Sequence, residues 1–294
     1  MGSHRASDGR GTVADVVRDA IAGSVRRLHE HEHGVRRGGD PEDVHQARVA
    51  VRRLRSDLRT FEAFLDPAWT APLRSELRWL AGELGPVRDA EVLHARLCDH
   101  AKLLPEGHRE EAEAVVHRLV SERDAARAHL VGAMGSARYA RLVAGLDDAA
   151  RRPRFTARAA DPARRALPSV VRRPWRRLRD DVAALGPAPT DEALHEVRIR
   201  AKRARYAAEA AAAALGARTR RFARALAALQ DVLGEHQDAV VAGRWLASAA
   251  AGSPPAQAFA AGMLAEVEAQ AARAARAAFP AAWRDVRRHR PASW

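Results

Sequence analysis

The sequence contains one cysteine, Cys98, in 294 residues, so no disulfide can form within the chain. No apolar run approaches the ~20 residues that a membrane-spanning helix needs. Runs that alternate β-branched or aromatic residues with polar ones, as β-strands do, are also missing. Aromatic residues make up only 5%, and alanine supplies much of the apolar content. This composition favours an all-α fold in which helices pack closely against helices.

A signal-peptide pattern is also missing from the first residues, 1–4. Together with the lone cysteine and the lack of a membrane segment, this favours a cytoplasmic protein with no membrane partner. The oligomeric state is left open by the sequence.

Lysine is scarce in an otherwise basic chain. Only two of the 50 Lys and Arg residues are lysine, Lys102 and Lys202, and the formal net charge is +13. Arginine stays charged and presents a planar fork of donors that fits phosphate oxygens. Because an excess of one charge repels itself in a folded protein, we expect an anionic partner, such as nucleic acid, an anionic membrane or polyphosphate.

Helical periodicity runs through most of the sequence. In the first half it predicts helices near 12–36, 41–65, 69–84, 87–104, 107–132 and 136–151. In the second half it predicts helices near 162–185, 191–215, 218–234, 236–250, 255–277 and 280–289. Glycine and proline separate them, for example at Gly85-Pro86 and at Gly234. Asp40 before Pro41, and Thr190 later in the chain, are suited to cap helix N-termini.

An internal repeat divides the chain into a first half, 12–151, and a second half, 162–290, joined by a predicted linker, 152–161. The stretch 45–55 recurs at 195–205 with an offset of 150 at every matched position. A second element follows with an offset of 149, in which Leu80, Leu84, Gly85, Asp89 and Ala90 match Leu229, Leu233, Gly234, Asp238 and Ala239. Two motifs in the same order predict a duplicated helical unit.

The repeated stretch carries a basic stripe when it is placed on a helix. At about 100° per residue, five basic side chains share an arc of roughly 80°: His45, Arg48, Arg52, Arg55 and Arg59. An apolar stripe runs beside them, formed by Ala47, Val51, Leu54, Leu58 and Phe61. The second copy has the basic residues His195, Arg198, Lys202 and Arg205, beside Val197, Ala201, Ala204 and Ala208. Like charges on one face of a helix repel each other, so we predict an anionic ligand. The first stripe is about 21 Å long, which suits an extended polyanion.

One such stripe has an alternative interpretation, a solvated helix face whose arginines pair with glutamates. The recurrence of histidine at the same place in both copies favours a binding role instead. Phosphate suits this role, since guanidinium–phosphate contacts are charge-assisted and specific. Arg53 and Arg203 lie off the stripes, and we hypothesise that they are structural and pair with Asp89 and Asp238. Further arginines that could extend the basic surface are Arg18, Arg26, Arg74, Arg78, Arg88 and Arg224.

These motifs resemble those of the CHAD family, the conserved-histidine α-helical domain. Residues 45–55 have its His-x-x-Arg-x-x-x-Arg-Arg-Leu-Arg form, and residues 195–206 have the form His-x-x-Arg-x-x-x-Lys-Arg-x-Arg-Tyr. The family's Leu-Gly-x-x-Arg-Asp element matches residues 84–89, and its Leu-Gln-Asp-x-Leu-Gly-x-x-x-Asp element matches residues 229–238. The resemblance covers roughly residues 12–290.

The resemblance implies two antiparallel helical bundles related by a pseudo-twofold axis, with the basic helices lining a central groove. It also implies that the protein binds inorganic polyphosphate, where phosphate or sulfate can occupy the same site, and associates with polyphosphate granules. The family's basic positions correspond to His45, Arg48, Arg52, Arg55, His195, Arg198, Lys202 and Arg205. Arg59 is added to these binding positions only because the helical wheel places it on the same stripe.

Two other functions are considered beside this one. A nucleic-acid-binding protein explains the charge equally well, although no reading motif and no aromatics interleaved with basic residues are evident. An enzyme acting on polyphosphate or triphosphates is the second. No nucleophile triad, phosphate loop or carboxylate pair stands out, so we expect no catalytic residues and no cofactor. His29 and His33 lie one helical turn apart without an evident third ligand, and we predict no metal site.

Overall fold

The structure, a computed structural model, describes residues 11–291, so the interpretation of residues 1–4 lies outside the described part. The α-helices are α1 (Val13–Arg37), α2 (Pro41–Thr60), α3 (Pro67–Ala101), α4 (Glu106–Val116), α5 (Arg118–Met134), α6 (Ala137–Arg151), α7 (Ala163–Ala183), α8 (Asp191–Leu215), α9 (Ala217–Ala250) and α10 (Pro255–His289). Short 3-10 turns lie at Glu62–Phe64 and Ala157–Ala160. Within residues 11–291 there is no β-strand beyond two isolated bridges, and the predicted all-α fold class is confirmed.

Three predicted helix breaks are wrong. Helix α3 runs unbroken through Gly85-Pro86, α9 runs through Gly234, and α10 continues past 277 through Pro280. Before Pro86 stands a glycine, which has no Cβ to clash with the proline ring, so one cost of an interior proline is absent. Buried residues on both sides, Leu84 and Val87, let tertiary packing stabilise a helix of poor local propensity. Conversely, the predicted helix 107–132 is interrupted between α4 and α5.

Helices α2 and α8, which carry the two basic stripes, begin at the predicted caps. The Asp40 side chain accepts a hydrogen bond from the backbone N–H of Glu42 at 2.8 Å, and Thr190 accepts one from that of Ala193 at 3.2 Å. The predicted apolar stripe of each helix is at most 2% exposed. Because these stripes are buried, the basic stripes beside them lie toward the protein surface.

The two halves meet through a reciprocal pair of hydrogen bonds at the starts of α1 and α7. The backbone N–H of Val13 donates to the carbonyl of Asp161, and that of Ala163 donates to the carbonyl of Gly11, both at 3.0 Å. The two donors, Val13 and Ala163, are 150 positions apart, and so are the two acceptors, Gly11 and Asp161, which is the offset of the sequence repeat. A twofold axis between equivalent units generates such an exchange. This contact supports the predicted duplication. The duplication and its boundaries stay predictions.

One hydrophobic core extends across both halves. It includes Leu54 of α2, Trp175 of α7 and Val197 of α8. A smaller core, around Leu97 and Leu264, lies where the far ends of α3, α9 and α10 meet α4. Since α2 also contacts α8 directly, the shared core fixes the position of these helices and hence the surface between them.

Candidate functional site

A groove between α2 and α8 encloses about 310 Å³. Five of the nine predicted site residues line it together: Arg48, Arg52, Arg55, Arg59 and Lys202. The other four do not line it: His45, His195, Arg198 and Arg205. Arg203, Tyr206 and Ile199 line it from α8, and Ala81 lines it from α3. Arg203 was expected to be structural and to pair with Asp238; this pairing is wrong, because Arg203 lines the groove and the charges that act on it are those of Arg59, Arg200, Arg177 and Glu196. The four arginines of α2 lie along one wall, so the groove follows the helix axis.

Lys202 lies among arginines of both stripes. Burial and then the positive charges of Arg198, Arg52, Arg48 and Arg205 lower the pKa of Lys202 to about 8. Charges shift a pKa only when they are close, so the stripes of α2 and α8 converge on this lysine. An anion in the groove would act in the opposite direction and favour the charged amine.

The positive field extends along α2 in both directions. Burial, followed by the charges of Arg59, Arg78 and Arg74, lowers the pKa of Arg55. At the other end, burial and the charge of Arg88 lower the pKa of His45, with smaller contributions from Arg52 and Arg48 and an opposing one from Glu42. His45 therefore favours its neutral form in the free protein, and phosphate beside it would favour the charged form.

The repeated glycine and aspartate of α3 position Arg48. Its guanidinium Nη2 donates to Asp89 Oδ1 at 3.0 Å. A Cβ added to Gly85 would lie 3.0 Å from the other terminal nitrogen of Arg48, so the glycine leaves room for this side chain. Asp89 was predicted to pair with Arg53, and this pairing is wrong: Gly85 and Asp89, one turn apart on α3, both face Arg48.

The second copy of this element is arranged similarly around Arg198. Burial raises the pKa of Asp238, and the positive charge of Arg198 opposes that shift. A Cβ added to Gly234 would lie 3.9 Å from Arg198 Nε, an ordinary contact distance. Asp89 also raises the pKa of Asp238, so the two repeated elements are close to each other.

The two glycines give a matched pair of predictions. We expect Gly234→Ala to raise the free energy of unfolding by up to about 1 kcal/mol, because alanine is the better helix former and has room. Gly85→Ala should gain less or lose stability, because the new methyl group requires Arg48 to shift by a few tenths of an ångström and also meets the ring of Pro86. Thermal unfolding of both variants measures the difference, and equal effects would contradict the role assigned to Gly85.

Arg205 does not line this groove, contrary to expectation. Its Nε lies 3.1 Å from Glu209 Oε1, and its guanidinium lies over Tyr206 at 5.2 Å from the ring centre. Together with Arg53 it lines another cavity, between α1, α2 and α8. Arg53 pairs there with Glu209 and with the buried Asp57, whose pKa burial raises to about 7. Glu209 lies one helical turn from Arg205, and the ion pair with it directs the Arg205 side chain away from the groove.

His195 is also not equivalent to His45. Its Nδ1 lies 2.7 Å from Gln237 Oε1. It lines a separate small cavity together with Asp191, Glu192 and Glu196. These acidic residues stand at the start of α8, where carboxylates favourably oppose the helix dipole, so His195 is in acidic surroundings rather than among arginines.

The secondary candidates are dispersed. Arg74 and Arg78 are near the groove, since their charges act on Arg55, and Arg88 is beside His45. Arg26 lines the cavity that holds Arg205. Arg18 pairs with Asp15 at 3.1 Å and Arg224 is exposed on α9. Among these candidates, Arg74, Arg78 and Arg88 are therefore the ones near enough to the α2 stripe for a direct role.

Residues 11–291 contain neither a cluster of metal-ligating side chains nor a helix suited to cross a membrane. No group of three or more His, Cys, Asp or Glu side chains there could hold a metal ion. His29 Nε2 lies 2.7 Å from Asp147 Oδ1, and His31 Nδ1 lies 2.8 Å from Asp43 Oδ1, so these histidines pair with separate carboxylates. None of the helices in this range is both long and apolar enough to span a bilayer.

Both the sequence and the fold of the chain match known proteins. The family model of the CHAD domain matches residues 19–247, more than half of the chain. The chain belongs to the CHAD family. Among solved structures it is similar to PptA from Streptomyces chartreusis, with a TM-score of 0.79 and 26% identity over 93% of this chain and 100% of that chain.

A second solved structure and two protein sequences also match the chain. The structure of the CHAD domain from the plant Ricinus communis matches with a TM-score of 0.68 and 31% identity, over 91% of this chain and 92% of that chain. Two uncharacterized proteins of Mycobacterium tuberculosis, from strains CDC 1551 / Oshkosh and ATCC 25618 / H37Rv, are each 35% identical over 246 residues. The match covers 78% of this chain but only 44% of those proteins, so the chain spans less than half of their length.

Proposed function

We propose that this CHAD protein binds inorganic polyphosphate in the groove between α2 and α8 and does not transform it. The observation that carries the proposal is the groove itself, where Arg48, Arg52, Arg55 and Arg59 of α2 lie together with Lys202 of α8. Such a cluster is unfavourable by itself and becomes favourable when a polyanion neutralises it. The association of the CHAD family with polyphosphate binding supports the same ligand.

The geometry of the groove supports an extended chain of phosphates. Arg48 and Arg59 are separated by about 17 Å along α2, at 1.5 Å per residue. Arg52 Nε and Arg198 Nε are buried and have no hydrogen-bond partner within the described residues. Buried donors normally have partners, so these two guanidinium groups keep a bonding capacity that oxygens of a ligand would satisfy once the side chains turn toward it. Guanidinium groups bind such oxygens in charge-assisted pairs of hydrogen bonds.

The proposal extends to the organisation and location of the protein. We take 12–151 and 162–290, joined by 152–161, as two halves of one CHAD domain, and the family match at 19–247 spans both. A cytoplasmic location at polyphosphate granules follows from the family resemblance and is part of the proposal.

Salt dependence provides the first test. If about five phosphates are neutralised, the slope of log K against log salt should be about −4, at roughly 0.7–0.9 per contact. Fluorescence anisotropy with labelled long-chain polyphosphate measures this slope between low and physiological salt. An affinity that does not change with salt would contradict binding at a cluster of arginines.

Competition separates the proposal from its two alternatives. Unlabelled long-chain polyphosphate should displace the labelled chain at lower concentrations than DNA of equal total charge. Better displacement by DNA would favour a nucleic-acid-binding protein. Release of phosphate on incubation with polyphosphate or triphosphates and Mg²⁺ would favour an enzyme.

A further inference from the structure

A second basic cavity opens beside the groove, between the end of α2, the turn at Glu62–Phe64, α7 and α8, and it encloses about 470 Å³. Seven arginines line it, four of them from α7 and α8: Arg173, Arg177, Arg200 and Arg203. None of the motif histidines lines this cavity, and α7 has no part in the repeated basic stripes.

The cavity and the groove are adjacent. Ser56, Arg59 and Arg203 line both of them. Burial lowers the pKa of Arg203, and the charges of Arg59, Arg200 and Arg177 add to this effect. One positive field therefore runs from the groove of α2 into the cavity beside α7.

The positive charge of this cavity is only partly neutralised by the protein. Glu62 lies 3.9 Å from Arg173 and 4.0 Å from Arg74, and Asp181 accepts a hydrogen bond from Arg200 at 2.7 Å. Within residues 11–291, Arg59, Arg177 and Arg203 have no carboxylate within 4.0 Å. The protein leaves this surplus of guanidinium groups without acidic partners, which favours the binding of anionic oxygens from a ligand.

We propose that this cavity is a second subsite, which takes the phosphates of a polyphosphate chain as it leaves the groove past Arg59. This inference rests on the proposed function and adds to it a preference for chain length. A long chain contacts the groove and the cavity at once and gains affinity from both, whereas tripolyphosphate reaches only one of them.

Two matched double variants of α7 test the subsite. Arg173→Gln with Arg177→Gln removes two charges from the cavity. Arg164→Gln with Arg165→Gln removes two charges from exposed positions in the first turn of the same helix. The affinity of each folded variant is measured for long-chain polyphosphate and for tripolyphosphate, and circular dichroism and thermal unfolding verify folding.

We expect the cavity variant to bind long chains about tenfold more weakly, while the control loses less than about twofold. The ratio of long-chain to tripolyphosphate affinity should fall in the cavity variant alone. Equal losses in the two variants, or the same proportional loss for tripolyphosphate as for long chains, would overturn the subsite and leave the groove in place. If the unaltered protein bound no polyphosphate, the proposed function would fall as well.

Discussion

Replacing Arg52 and Lys202 together with glutamate should weaken polyphosphate binding by at least about a hundredfold. Each lost charge-assisted hydrogen bond removes roughly 1.5–3 kcal/mol, and the two new carboxylates repel phosphate. Both positions line the groove, one from each basic helix, so the change reverses charge at the place where the two stripes converge.

The same variant should fold normally. The apolar stripes of α2 and α8 are unchanged, and they are buried in the core that both halves share. A glutamate at 202 would exchange repulsion from Arg198 and Arg48 for attraction to them. Helical content by circular dichroism and the midpoint of thermal unfolding should therefore match those of the unaltered protein.

A control separates this local effect from a loss of net charge. Arg220 and Arg221 are exposed at the start of α9, and replacing both with glutamate changes the net charge by the same amount. We expect that control to bind severalfold more weakly at most. Retained binding by the groove variant, or an equal loss in the control, would show that the ligand binds elsewhere.

The fold was predictable wherever burial and capping acted in the same direction. Asp40 and Thr190 start α2 and α8 as expected, and the apolar stripes are buried as expected. The errors fall at Gly85-Pro86, Gly234 and Pro280, where local propensity is poor but buried residues continue on both sides. Propensity is a weak effect that tertiary packing overrides, and a single sequence gives no measure of that packing.

The sequence predicted the arginine face of the first stripe, but not that His45 and three residues of the second stripe lie outside the groove lining. A helical wheel places Arg48, Arg52, Arg55 and Arg59 on one face, and they line one groove. It cannot show that Glu209, one turn along α8, attracts Arg205 away from the groove. Nor can it show which flank of α8 faces α2, and for that reason Arg203 was misassigned. The rotation of one helix against its neighbour depends on the whole core.

Proton binding should accompany polyphosphate binding above pH 8. In the free protein the pKa of Lys202 is lowered to about 8, and a bound polyanion raises it toward the ordinary range. Below pH 8 the amine is charged in both states, so this group adds no pH dependence. Above pH 8 the free protein loses the proton and the complex retains it, so affinity falls as pH rises, by up to roughly a hundredfold if the pKa rises by two units.

The chain offers a matched control for this titration, since its only other lysine is the exposed Lys102. Lys202→Arg keeps the charge at all pH values used and should flatten the affinity profile between pH 8 and 10, whereas Lys102→Arg should leave it unchanged. Calorimetry in buffers of different ionisation enthalpy should detect proton uptake at pH 9 in the unaltered protein and in Lys102→Arg only. Proton uptake that persists in Lys202→Arg would show that another group binds the proton. The two stripes would then not converge on Lys202.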